Sequence, residues 1–265
     1  MDRLMVIKLT GRGCTAEAWM NGCPVARVTP LAPNVVMPVH EAAIAGPNRL
    51  ELVIGPNAGA ASAAALLHTA PHAIAAQLHL LLPRLGSAID EGQSRNLARL
   101  EWACAAGEPL SLPARRVQEI ELQIRFPRWR WLDAPVLEGK PELAAHAHAF
   151  VSGLARDLAR GQTDSFMAAT KLRTEELALA YQRSPDTEAV RLREWLEQLY
   201  ALRTLVWRPM AAEEFQLRPL AGGRLLECLG ADDGAALSTM PDKAGNSFSL
   251  PLRLSMVEGQ FYVLR

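Results

Sequence analysis

Residues able to do chemistry are few in this chain, and their spacings complete no known constellation. His68 and His72 are four apart, a spacing that would put two imidazoles on one helical face for a metal. Pro71 lies between them and opposes the helix, and no acid supplies a third ligand at a matching spacing. His146 and His148 are two apart, so on a helix they face different ways and cannot share a metal or form an acid–base pair. Asp232-Asp233-Gly234 and the stretch from Asp242 to Asn246 have calcium-loop composition but fall short in ligand count and spacing, and read as turns. Thr10-Gly11-Arg12-Gly13 is too short for a phosphate loop, and no G-x-S-x-G or G-x-G-x-x-G occurs. The expectation is a chain with no catalytic residue, metal or cofactor, leaning away from an enzyme.

The elements that would position any site follow from composition and period. Twenty-eight basic and 28 acidic residues cancel over 265 positions, without the basic surplus by which nucleic-acid binders offset phosphate charge. Hydrophobic residues make up 49%, enough for a substantial core, so wholesale disorder is out. Basic residues are arginine except at Lys8, Lys140, Lys171 and Lys243, which with abundant Ala, Leu and Pro points to a GC-rich bacterial coding bias. The cysteines, Cys14, Cys23, Cys104 and Cys228, include no C-x-x-C pair and read as small buried thiols, although Cys14 and Cys23 could approach across a hairpin. The N-terminus lacks a signal-peptide pattern, and the apolar tract from Ala58 to Leu82 is interrupted by Pro71, Gln77 and three histidines. A cytoplasmic protein is expected, with neither nucleic acid nor membrane as partner and an oligomeric state left open.

Residues 1–135 read as strands. Asn21-Gly22 supplies the two positive-φ residues of a type I′ turn, so Ala16–Met20 and Cys23–Val28 should pair as a hairpin. Leu4–Leu9, Arg49–Ile54, Gln77–Leu82, Leu97–Cys104 and Val117–Phe126 are further strands, several alternating polar with apolar. About seven short strands punctuated by turn residues describe an all-β sandwich. Trp19-Met-Asn21-Gly22-Cys-Pro-Val, Pro38-Val-His-Glu and Gly46-Pro47-Asn48-Arg-Leu-Glu-Leu-Val-Ile together resemble the jelly-roll sugar-binding domain of family 2 glycoside hydrolases over about 40 residues. The resemblance implies a sandwich and, more weakly, carbohydrate binding. Trp129 and Trp131 alternate with Arg128 and Arg130, the pattern of an edge strand with both tryptophans packed into an interface.

Residues 136–265 form the expected second domain. After a Gly-Pro linker at 136–141 the period becomes helical. Leu143, Ala147, Phe150, Val151, Leu154 and Leu158 line one face of a first helix, Thr163-Asp164 caps a second, and Asp186 opens a third. Val190, Leu192, Trp195, Leu196, Leu199 and Leu202 form the third helix's apolar side. Strands over Phe215–Leu220, Arg224–Leu229, Ala235–Met240, Ser247–Met256 and Gln260–Leu264 follow, with turns at Gly222-Gly223, Asp233-Gly234 and Glu258-Gly259. The expected half is α+β, with helices packed on a curled antiparallel sheet. The terminal hairpin, Val257-Glu-Gly-Gln-Phe-Tyr-Val-Leu264, resembles that of the NTF2-like (SnoaL-like) cone fold. That resemblance implies a pocket between helices and sheet, with Asp157, Tyr181, Trp195, Tyr200 and Glu227 as ligand-binding candidates beside His146 and His148.

The leading expectation is a non-enzymatic protein-binding module, of adaptor or immunity type. The alternatives are a small-molecule-binding or isomerase/hydratase-type C-terminal pocket, and carbohydrate binding by the sandwich.

Overall fold

Asn21 and Gly22 adopt φ of 52° and 76°, the left-handed pair that a two-residue hairpin needs, and the strands on either side pair antiparallel as read from the sequence. The computed structural model describes residues 4–55, 66–84, 89, 92–124, 126, 128–137, 142–203, 206–230, 234–242, 245 and 247–265. The chain divides into two compact units, Met1–Phe126 and Pro127–Arg265.

The first unit contains β1 (Val6–Arg12), β2 (Ala16–Met20), β3 (Cys23–Val28), β4 (Asn34–Pro38), β5 (Gly46–Ile54), β6 (Leu66–Thr69), β7 (Ile74–Pro83), β8 (Ser94–Cys104), β9 (Pro109–Leu112) and β10 (Ala114–Leu122). Two antiparallel four-stranded sheets, ordered β4-β1-β7-β8 and β10-β5-β2-β3, share one apolar core. Alternation decides which side chains enter it. Ile7 and Leu9 of β1, Ala16, Ala18 and Met20 of β2, Leu50, Leu52 and Ile54 of β5, and Leu78 and Leu80 of β7 point inward and are fully buried. Each of the Ile, Leu and Met side chains among them contributes about 1.5–3 kcal/mol of transfer free energy.

The opposite face of the second sheet carries buried charge. Glu17 accepts from the Trp19 indole at 3.0 Å and pairs with Arg27 at 3.8 Å. Glu51 is held by Arg49 at 3.1 Å and by Arg115 at 2.5 Å. Burial works to raise the Glu51 carboxyl, but the two guanidiniums outweigh it and hold the group below the usual carboxylate range.

His68 lies in β6, paired through its backbone with Leu110, so the helical His68/His72 spacing does not exist. The short strands β4, β6 and β9 have no counterpart among the expected ones. Cys14, Cys23 and Cys104 are free thiols.

The second unit contains α1 (Leu143–Ala159), α2 (Asp164–Ala180), α3 (Pro185–Ala201), β11 (Gln216–Leu220), β12 (Leu225–Leu229), β13 (Leu237–Ser238), β14 (Ser249–Leu250), β15 (Arg253–Val257) and β16 (Gln260–Val263). An antiparallel sheet ordered β11-β12-β15-β16 accompanies the ribbon β13-β14. Ala147, Val151, Leu154 and Leu158 of α1 join Phe166, Leu196, Phe215, Cys228, Leu254 and Val263 in one core. Cys228 is a free thiol that burial, reinforced by the charge of Glu227, pushes far above its ordinary pKa. Among the described residues no helix is long and apolar enough to cross a membrane, and no group of three His, Cys, Asp or Glu is placed to hold a metal.

The two compact units meet between Phe126 and Pro127. Three expectations change. Leu137, expected in a linker, is fully buried against Leu143 and Leu226, and its N–H donates to Gly223 O at 2.8 Å. Trp129 and Trp131 lie on a short 3-10 turn over Arg130–Leu132, not on an edge strand, and both are buried. Thr163 does not cap α2 with its side chain. Its hydroxyl instead accepts from Arg193 at 3.0 Å, and Arg193 also pairs with Asp164 in the first turn. Asp232, Asp233, Lys243, Ala244 and Asn246, read above as turn residues, lie outside the described residues.

Candidate functional site

Two concavities lie in the second unit. The larger, about 610 Å³, runs between α1 and the segment 206–210. On α1 its wall is Ser152, Ala155, Arg156 and Ala159, at intervals of three and four that place them on one helical face. The small residues among them leave the space open. Across from them stand Val206, Trp207 and Met210. The segment is held extended by antiparallel bridging of Trp207 to Thr239, by Arg208 N–H donating to Ser238 O at 2.8 Å, and by Met240 N–H donating to Val206 O at 2.8 Å. His148 ties it to α1, its Nε2 lying 3.1 Å from Met210 O with the imidazole edge-on to Phe215.

Two cations flank this groove. Arg156 and Arg208 are exposed, and neither forms an ion pair with a described residue. Around the groove the surface stays apolar. Val206 is 59% exposed, Met240, bonded to it through the backbone, is 49% exposed, and Phe248 packs between Trp207 and the partly exposed Trp195. Singly exposed apolar residues are ordinary, whereas several beside one groove form a contiguous apolar surface.

The smaller concavity, about 250 Å³, is polar. Ser238 and Ser249 are cross-strand partners on β13 and β14 and line it together with Ser247, Arg208 and Glu214.

The five residues that the cone-fold resemblance implies are not brought together, and none lines either concavity. Asp157 is half-buried near the end of α1, where its carbonyl accepts from Arg160 and Gln162. Tyr181 is the C-cap of α2, with the Arg183 guanidinium 5.8 Å from its ring. Trp195 sits edge-on to Phe248, 5.6 Å between centroids. Tyr200 covers Gly161, where an added Cβ would meet the ring at 2.8 Å. Glu227 is buried in the sheet, accepting from Arg218 and pairing with Arg253 at 3.4 Å. His146 is exposed on α1, and His148 is occupied with Met210.

Trp129 is 1% exposed with the Arg265 guanidinium 5.3 Å from its ring centre, Trp131 is 4% exposed, and Trp19 is bonded to Glu17, so none of the three offers a free face for stacking a sugar. The residues that do line the groove carried one weak sequence signal, the small-residue rhythm of Ser152, Ala155 and Ala159, and their partners on 206–210 carried none.

No protein-family model matches this chain. Comparison with curated proteins and with solved structures returns no match either.

Proposed function

We propose that the chain is a non-enzymatic binding protein whose second unit docks a partner protein through the groove between α1 and residues 206–210. The observation that carries this reading is an apolar groove of about 610 Å³ flanked by Arg156 and Arg208, neither of which has an ion-pair partner among the described residues. Interface hot spots combine a buried apolar anchor with arginine and aromatic residues, and Trp207, Met210 and the two arginines supply that composition. Charge complementarity defines the occupant: a partner segment presenting an apolar side chain flanked by carboxylates, which the guanidiniums can take bidentately. Three helices followed by the antiparallel sheet β11-β12-β15-β16 support a cone-like, NTF2-type reading of this unit, and the paired sheets of the first unit support a jelly-roll reading.

The test places a photo-crosslinking amino acid at Ala159, an exposed residue of the groove's α1 wall, in the intact chain, inside the cells that produce it. The reading expects one discrete adduct with a defined protein, and binding between the two purified proteins that Arg156→Glu or Val206→Asp weakens by about tenfold or more. No discrete adduct, or an affinity that neither substitution changes, would sink it. Adducts between copies of this chain would replace it with self-association.

A further inference from the structure

We infer that the polar concavity beside β13 and β14, which adjoins the docking groove and shares Arg208 and Met210 with it, is a binding site for a small ammonium carboxylate, of the free α-amino acid class. Arg208, Glu214, Ser238, Ser247 and Ser249 converge on about 250 Å³. None of these five side chains hydrogen-bonds or ion-pairs with another described residue, so their polar capacity faces the cavity and its solvent.

The charges decide the ligand class. Arg208 and Glu214 line the same space yet do not pair with each other. A ligand that is only an anion is drawn to Arg208 and repelled by Glu214, and a simple cation meets the reverse. A molecule carrying both charges a few bonds apart satisfies both, and this pairing of attraction with repulsion yields selectivity. The guanidinium fork matches a carboxylate bidentately, the Glu214 carboxylate accepts from an ammonium, and the three hydroxyls donate or accept around them. Met210, Ala235 and Ala236 provide an apolar wall for a short side chain. The volume corresponds to roughly eight waters at ~30 Å³ each, room for a small amino acid together with several waters.

The framework is fixed by backbone bonds. Arg208 N–H donates to Ser238 O, and Gly230 N–H to Gly234 O, each at 2.8 Å. Ser238 and Ser249 face the same side because they are register partners.

Isothermal titration of the full chain with glycine, alanine, serine and threonine tests the site, against propionate, propylamine, alanine amide and glycerol. The expected result is binding of free amino acids about tenfold or more tighter than any control. Glu214→Gln should abolish the preference over propionate, and Ser249→Ala should weaken binding. Binding that ignores both substitutions, a preference for glycerol, or no binding of any amino acid at millimolar concentration overturns the inference. Glu214 and Ser249 do not line the docking groove and Arg156 does not line this cavity. Arg156→Glu should therefore leave amino-acid binding intact, and each proposal can fail while the other stands.

Discussion

Asn21 and Asn48 are joined side chain to side chain, Asn21 Nδ2 donating to Asn48 Oδ1 at 2.8 Å. Asn21 sits in the β2–β3 turn and Asn48 at the entry of β5, so one hydrogen bond links two neighbouring strand connections. Asn48 is 1% exposed, and its amide is fully engaged: Oδ1 also accepts from Ile44 N–H, while Nδ2 donates to Ile44 O and Gly46 O. Asn21 Oδ1 in turn accepts from Arg49 N–H at 2.9 Å.

Asn48→Ala should therefore be among the most damaging polar substitutions in the first unit. It strands the Ile44 N–H and the Ile44 and Gly46 carbonyls and removes one of the two acceptors of the Asn21 amide, and losses of about 3 kcal/mol are expected from urea denaturation. Asn21→Gly keeps the positive-φ turn while removing the same contact, so the two single changes should fall well short of additive when combined.

Acid should weaken the first unit through Glu51. Its carboxyl titrates lower in the folded state than in the unfolded chain, where the value is about 4.3. The contribution of the Arg49 and Arg115 contacts is thus complete above that pH and is lost as pH falls through the lower, folded value. Denaturation midpoints between pH 6 and 3 should drop more steeply for the natural chain than for Glu51→Gln, which starts less stable at neutral pH. Identical slopes would assign the acid sensitivity elsewhere.

Arg265 and Glu176 form a buried pair at 2.5 Å, with side chains 5% and 6% exposed. Glu176 also accepts from Arg130 N–H at 2.6 Å. Arg265→Ala leaves that carboxylate buried without its cation and should cost about 3–5 kcal/mol in the second unit. Arg265→Met combined with Glu176→Leu removes both charges and should recover much of the loss, measurable as a higher thermal midpoint than either single change.

Much of the architecture was legible because it is local. Asn-Gly prescribes its hairpin, alternation assigns β5, β7 and β8, and α1 buries Leu143, Ala147, Val151, Leu154 and Leu158 as its period requires. The third helix was half legible. Leu196 is fully buried, but Val190, Trp195 and Leu202 are exposed, because an apolar residue at helical spacing records a face without recording whether anything covers it. β4, β6 and β9 escaped notice because each is short, and prolines at Pro33, Pro38, Pro109 and Pro113 punctuate β4 and β9 as loops are punctuated. The groove was illegible for a deeper reason. Its walls come from α1 and from residues 206–210, more than forty positions apart, and the second wall is extended backbone set by bonds to Ser238 and Met240. Glu227 is a pocket candidate only through the cone-fold resemblance, and its partners Arg218 and Arg253 make it part of the sheet's own ion network.

The placement of the thiols has an experimental consequence. Cys14, Cys23 and Cys104 belong to the first unit and Cys228 alone to the second, where it is 1% exposed. A thiol reagent reaches a buried sulfur only when the surrounding structure opens. The rate at which Cys228 is modified is thus a clock for opening of the second unit, while the buried Cys23 and Cys104 report on the first. One mass spectrum taken over time would read two unfolding equilibria from one unmodified chain.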